Sequence, residues 1–384
     1  MDIFHTTLTM VTRHSKHNSM KYLYKKKSYN FARLALQRHL KNIKRKQKKK
    51  GQKCSSFGAK NADEVSAMAP TRIDLYNPRY HTELVMFKQE LEKKADESSQ
   101  SSYRKKLRIC FRNTTHITAA AGLLMIATVD NIVSKHPRLK FAVTRPPNRN
   151  SKLGQLENLV DSVLVRVGFY KLIGHENIKR RCDAANVKCW RYAYGDDANG
   201  EIPARLIQEL ASYGVKTNKL YRSCFEAVAN ATEHAYTDKV KAKRPFNLER
   251  WWFFVGVLDD KITVLICDLG HGIPDTLETT QSKGMLSKIF EKLGFKTKPT
   301  EDCILIRAST MVKESRTGME FRGKGGTDVK TFVDQTDGSE MLILSNHGYY
   351  RYRGQDSPSQ AYDNKRSVGG TIIQWTIPYI EVED

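Results

Sequence analysis

Long apolar runs are missing from this sequence. The longest, Ile117 to Val129, falls short of the ~20 residues a membrane-spanning helix needs, so no membrane partner is expected. No apolar stretch follows the basic N-terminus, which argues against a secretory leader. Cysteine is scarce: seven thiols lie scattered over 384 residues, with no two pairs at zinc spacing. A disulfide scaffold is excluded, and a cytoplasmic, reducing compartment is expected. Acids are nearly absent from the first 60 positions, where 17 Lys/Arg face only Asp2. That segment holds +16 of the chain's net +24. No Gly-x-x-x-x-Gly-Lys-Ser/Thr occurs, so a Walker-type phosphate loop is excluded.

What is present suffices for a core: 40% of residues are hydrophobic. Length and composition divide the chain into a basic arm and linker at 1–70, a small α/β domain at 71–200 and a larger one at 201–384. The arm is densest from Lys41 to Lys50, and Tyr29 to Ile43 carries apolar residues at helical spacing. Tyr22, Tyr24 and Tyr29 interleave with lysines, so residues 13–60 can hold nucleic acid through phosphate contacts and stacking. A solvated basic tail without a specific partner is the competing reading.

Gly51 to Pro70 reads as a linker, Leu84 to Ala95 as a short helix and Asp96 to Ser102 as a polar loop. Strand, helix, strand, helix then follow at Leu107–Phe111, Ala119–Val133, Leu139–Thr144 and Asn158–Val167. Asp183 to Gly200 reads as loop. Beyond it come helices at Ala204–Tyr213 and Lys219–Ala235, and strands at Trp251–Leu258 and Ile262–Asp268 joined at Asp259-Asp260. An aperiodic stretch runs to Gly326, before a helix at Thr327–Gln335 and strands at Met341–Ser345 and Thr371–Ile377.

Three constellations in the larger domain carry chemistry. Glu226, Asn230 and His234 stand four residues apart and share one helix face. A carboxylate and an amide oxygen one turn apart can serve a water and a hard cation. Cys267-Asp268-Leu-Gly270-His-Gly272-Ile273 ends an apolar strand. There an acid can accept from a purine amino group, and glycines let the base approach the backbone. Phe321-Arg322-Gly323-Lys324-Gly325-Gly326-Thr327 leads into a helix, whose first N–H groups favour phosphate.

In order and spacing this set resembles the GHKL, or HATPase_c, ATP-binding domain shared by gyrase-type ATPases, heat-shock chaperone ATPases, histidine kinases and MutL. The run Glu226 to Tyr236 is especially similar to the anti-sigma-factor serine kinases of that family. The resemblance covers about residues 200–384. It implies a Bergerat-type α/β sandwich: a mixed sheet with helices on one face and an ATP lid over Pro274 to Arg322. It implies ATP and Mg²⁺ as ligands, with Asn230 on the metal, Glu226 as general base and Asp268 on the adenine amino group. Gly270, Gly272 and Ile273 would shape the base pocket, with Thr371 near adenine. Gly323, Gly325 and Gly326 would cradle phosphates, which Arg322 and Lys324 can neutralise or leave to solvent. His234 lines the site or packs beneath it.

Ahead of it, Ile117 to Leu124 and Val167-Gly168-Phe169, the latter before a short strand, resemble the STAS domain of anti-sigma antagonists. Ala120 or Ala121 stands where that family has its phosphorylated serine, which argues against a phospho-switch. His175-Glu176 is discounted as a phospho-accepting box, and Cys182 and Cys189 with His175 as a zinc site. Cys224 and Cys267 read as core, and the four tryptophans, Trp251-Trp252 among them, as core or interface. The chain ends soon after the last strand, so the transducer of gyrase- and MutL-type machines is not expected. Two functions compete: an ATPase or serine/threonine kinase acting with a protein partner or substrate, and an ATP-gated nucleic-acid-binding or regulatory module without turnover. A homodimer is compatible with either.

Overall fold

The computed structural model describes residues 64–100, 106–147, 149–150, 156–157, 159–178, 187–198, 200–213, 215, 217–241, 246–258, 261–312 and 325–378. The basic arm therefore lies outside the described residues. The described chain is mixed α/β. In order it runs β1 (Glu64–Met68), β2 (Arg72–Ile73), α1 (Pro78–Gln100), β3 (Lys106–Cys110), β4 (His116–Ile117), α2 (Ala119–Lys135) and β5 (Lys140–Thr144). Then come β6 (Arg149–Asn150), β7 (Leu156–Glu157), α3 (Leu159–Arg166), α4 (Phe169–Leu172), β8 (Val187–Gly195), α5 (Glu201–Gln208) and a 3-10 turn at Glu209–Tyr213. The rest is α6 (Thr217–Glu233), β9 (Trp251–Leu258), β10 (Lys261–Asp268), α7 (Ile273–Thr280), α8 (Lys283–Lys292), α9 (Asp302–Ser309), α10 (Gly325–Asp334), β11 (Glu340–Ser345), β12 (Gly348–Tyr352), β13 (Gln360–Asp363) and β14 (Thr371–Pro378).

β1, β3 and β5 form a parallel sheet in that order, with α1 and α2 as its crossovers. β1 falls inside the stretch expected to be a linker. Val65 and Ala67 alternate there with polar neighbours, and Glu64 pairs with Arg108 and Lys106 across the strands. α1 is 23 residues, longer at both ends than expected. Pro78 opens it behind Asn77, whose Oδ1 accepts from the Arg79 N–H at 3.0 Å. Its polar C-terminal turns, expected as loop, stay helical with pairs such as Lys93–Glu97 at 3.8 Å. α4 follows Gly168 where a short strand was expected.

The second sheet has seven strands in the order β13-β12-β11-β14-β10-β9-β8. Every described pair in it is antiparallel, so the expected mixed sheet is corrected. The two-residue step from Leu258 to Lys261 closes a tight hairpin and imposes that direction; Asp259 and Asp260 themselves lie outside the described residues. β8 pairs with β9, so this sheet reaches back before residue 201 into a segment expected to be loop.

Both faces of this sheet are covered, which corrects the expectation of helices on one face only. Trp251, Phe253, Val255, Val264, Ile266, Ile343 and Trp375 pack with Cys224, Ala227, Val228 and Ala231 of α6 and with Val329 and Phe332 of α10. The alternate residues, Trp252, Phe254, Leu265, Cys267, Leu344 and Ile372, share a core with α1 and α2. A strand with two buried faces must be apolar at every position, which explains the run Trp-Trp-Phe-Phe-Val. α2 is apolar all round for the same reason: it packs against α1 on one side and β9, β10 and β14 on the other.

Polar groups of the described residues also cross this joint. Asp130 of α2 accepts from Arg250 at 3.0 Å and from the Trp252 indole at 2.9 Å. Tyr76 donates to Gln374 of β14 at 2.5 Å. The aperiodic stretch after β10 holds α7, α8 and α9, which pack round Leu277, Leu286, Phe290 and Leu305. It is pinned to the sheet edge, because the Asp363 carboxylate accepts from the N–H groups of Asp302 and Cys303 at 3.0 and 2.8 Å. The described part of the expected lid is thus a packed helical cluster; residues 313–324 lie outside the described residues.

Removing Asp130 strands the Arg250 charge at the joint. Asp130→Ala should lower unfolding stability by about 3 kcal/mol, read by urea unfolding, and Asp130→Ala/Arg250→Met should recover part of it. A loss within about 0.5 kcal/mol would show that the pair does not hold the joint.

Candidate functional site

Five strands end in one row. Gly195 pairs with Trp251, Trp251 with Asp268, Asp268 with Thr371, and Thr371 with Ser345. Side chains alternate along a strand. Ile266, Ile373 and Ile343, two residues from Asp268, Thr371 and Ser345, belong to the core under α6. The three polar residues therefore point to the α6 face.

Asp268 is buried, and its Oδ1 accepts from the Gly270 N–H at 2.9 Å, an Asx turn. Burial pushes its carboxyl up to about 7, against hydrogen bonds from Gly270 and from the backbone and hydroxyl of Thr371. The groups opposing the rise are neutral donors, not a cation. Ser345 Oγ lies 3.0 Å from Thr371 Oγ1 and accepts from the Ile273 N–H at 2.9 Å. Two turns thus meet at one buried carboxylate.

The helix end comes to the same place. Ala235, just past α6, accepts from the His271 N–H at 2.7 Å. A Cβ on Gly270 would stand 2.2 Å from the Ala235 carbonyl oxygen, so only glycine allows this approach. The Leu269 N–H donates to Tyr236 Oη at 3.0 Å, and Tyr236 donates to the Arg250 carbonyl at 2.6 Å. Gly272 has φ +86°, which turns the chain into α7. Against it lies Asn346, at φ 51°, whose Nδ2 donates to the His271 carbonyl at 2.9 Å.

Glu226, Asn230 and His234 lie half-buried on successive turns of α6 and just past its end. They flank the stripe Leu220, Cys224, Ala227, Val228 and Ala231 that packs on the sheet. The His234 N–H donates to Asn230 O at 3.0 Å, carrying the helical path past Glu233. Gly325 and Gly326 open α10, which packs beside α6 and is tied to the sheet by Trp375 Nε1 donating to Val329 O at 3.1 Å. Arg322, Gly323 and Lys324 lie outside the described residues. The fold therefore gathers Asp268, Gly270, Gly272, Ile273 and Thr371 at the C-terminal end of the helix that bears Glu226, Asn230 and His234.

Chemically, the row offers a buried carboxylate acceptor against a backbone approach, which suits a flat ligand with an amino group. The α6 flank carries a carboxylate at Glu226 and an amide at Asn230 one turn apart, residue types that suit a water and a hard cation. Among the described residues, no three or more His, Cys, Asp or Glu side chains are grouped to hold a metal ion.

Ser345, Asn346 and Tyr236 were not singled out from sequence. The pair Ser345-Asn346 closing an apolar strand is a turn signal, but its alignment with Asp268 depends on strand register. Burial raises the thiols of Cys224 and Cys267, in keeping with core roles. His175 Nε2 lies 3.2 Å from the Phe141 carbonyl. Cys182 and the side chain of Cys189 lie outside the described residues. Comparison of the sequence with protein-family models and with curated proteins finds no match.

Because Asp268 titrates near 7 when folded and near 4 when unfolded, the native state binds more protons between those values, so its stability falls as pH rises through them. Asp268→Asn should therefore raise the melting temperature of the ligand-free protein. The gain should be nil near pH 4, grow to about pH 7 and then level off, with a ceiling of order 4 kcal/mol. A pH-independent difference in thermal melts would refute the buried-charge reading.

Proposed function

We propose that this chain binds Mg·ATP in a GHKL-type site and acts as an ATPase or a serine/threonine kinase on a partner. One observation carries the reading: the Asp268–Thr371–Ser345 row ends against the helix that presents Glu226 and Asn230. Asp268 accepts from the adenine amino group, with Thr371 beside it. Gly270 and Gly272 keep the backbone close enough for the base to lie flat, and Ile273 packs at the turn into α7. The N–H groups of Gly325 and Gly326, which open α10, are the donors for phosphate; Arg322, Gly323 and Lys324, expected to help, lie outside the described residues.

Asn230 holds Mg²⁺, which supplies neutralisation of phosphate charge when bound. Glu226, one turn earlier, takes the proton of an attacking water or hydroxyl. His234 supports the site from beneath. Helices over one sheet face and the sequence α6, β10, α10, β14 support a Bergerat-type arrangement, here with an antiparallel sheet and a second layer on its other face. The STAS-like reading of that layer is supported by the turn from β4 into α2 at Ile117–Leu124, and not by the helix that follows Gly168.

A second reading is favoured by the +16 of the first 60 residues: a module that ATP switches without turnover, tethered to nucleic acid by its arm. One experiment separates the two. Phosphate release and label transfer are measured for wild type and Glu226→Ala, with and without nucleic acid, alongside ATP binding. The enzyme reading predicts that Glu226→Ala binds ATP but loses about 10³-fold in turnover. Equal binding with no turnover in either protein supports the switch, and no binding in wild type refutes both.

A further inference from the structure

We propose that Asn346 is a positioning residue for the nucleotide: its amide pins the turn from Gly270 to Gly272 in the shape that receives the base. This rests on the nucleotide reading of the site.

Asn346 opens the two-residue turn between β11 and β12, where Ser345 pairs with Gly348. It is the one non-glycine residue at positive φ among the described residues, at 51°. Glycine meets such a backbone without strain, while asparagine and aspartate are tolerated there. The Asn346 side chain is nevertheless buried and in use. Its Nδ2 donates to the His271 carbonyl at 2.9 Å and to Asp275 Oδ2 at 3.3 Å. A carbonyl only accepts, so the atom facing His271 must be the amide nitrogen. The Asn346 backbone is itself held: its N–H donates to the Gly370 carbonyl at 3.1 Å, and its carbonyl accepts from the Val368 N–H at 2.9 Å.

His271 is therefore gripped from two sides. Its N–H donates to the Ala235 carbonyl, just past α6, at 2.7 Å, and its carbonyl receives Asn346. The glycines on either side of it have wide backbone freedom and supply no such restraint. The amide also lies against Gly272, where a Cβ would stand 2.8 Å from Asn346 Cγ. Without the amide, the Gly270–Gly272 stretch gains freedom that ATP must remove on binding. Affinity then falls although no contact with ATP is lost. Aspartate has the same shape as asparagine but sets an oxygen against the His271 carbonyl and the Asp275 carboxylate. A residue that only filled space or held the turn would be replaced better by aspartate than by glycine. A required donor reverses that order.

The test uses the full-length protein at about pH 8, where aspartate is ionised, and Mg·ATP as the probe. Dissociation constants are measured for wild type, Asn346→Gly and Asn346→Asp. Melting temperature and amide hydrogen exchange of residues 269–273 are recorded without nucleotide. Asn346→Gly should melt close to wild type, exchange faster through the turn and bind Mg·ATP about tenfold more weakly. Asn346→Asp should lose at least as much, and it serves if the glycine variant does not fold. Asp302→Ala is the control, because Asp302 Oδ2 accepts from the His347 N–H at 2.9 Å and ties the same hairpin turn to α9. It should lower the melting temperature and leave ATP affinity unchanged. Wild-type affinity in Asn346→Gly, better tolerance of aspartate than of glycine, or an equal loss in Asp302→Ala would show that Asn346 only shapes the hairpin. Each overturns the proposal while ATP binding stands. If wild type binds no ATP, the site reading fails and takes the proposal with it.

Discussion

Burying one carboxylate at the end of a strand that is apolar on both faces is the constraint on which this structure depends. Asp268 gives up water without gaining a cation, so its charged form is disfavoured and its carboxyl titrates near neutrality. The surroundings offset part of that cost with an Asx turn at Gly270 and the donors of Thr371. Each compensation fixes something else. The Asx turn brings Gly270 onto the end of α6, and Thr371 needs the register of β14, which Ser345 ties to the start of α7. A group kept in this condition is a poor contributor to stability and a good candidate for function, since an incoming donor recovers what burial cost.

The same sheet explains the organisation of the chain. Strands with two apolar faces need cover on both sides, and α6 with α10 supply one layer while α1 and α2 supply the other. The front layer is therefore part of the core that supports Asp268, not a separate body on a tether. Asp130 and Arg250 mark where it is fastened, and the Arg250 carbonyl receives Tyr236, which in turn receives the N–H of Leu269. The turn that carries the candidate site is thus hydrogen-bonded, through Tyr236, to the start of the strand that meets the front layer.

Much of this was legible in the residues, for local reasons. The spacing of Glu226, Asn230 and His234 could only be a helix face, and the strands around Asp268 carried strong apolar patterns bounded by glycine and acid. What failed needed information beyond a short window. β1 is five residues of mild alternation whose partner lies some forty residues on. β8 belongs to a sheet whose next strand begins at Trp251, so nothing near Val187 announced it. α7, α8 and α9 are too short to show a helical period, and many of their apolar residues pack on one another, while Ile306 of α9 and Ile273 of α7 reach the main core. The continuous apolar run from Trp251 needs two buried faces, a signal overridden by the expectation of helices on one face only, and nothing near it pointed to α2 as the second cover. Ser345 was invisible as a site residue because its place follows from pairing across β14, not from its neighbours.

The central claim is that the carboxylate of Asp268 faces an adenine nucleotide. Calorimetric titration of Mg·ATP into wild type and Asp268→Asn near pH 7 tests it most directly. The account predicts saturable one-site binding to wild type and a loss of about hundredfold or more in the variant, which remains folded and more heat-stable than wild type. Equal affinity in the two proteins, or no binding to wild type, would contradict it.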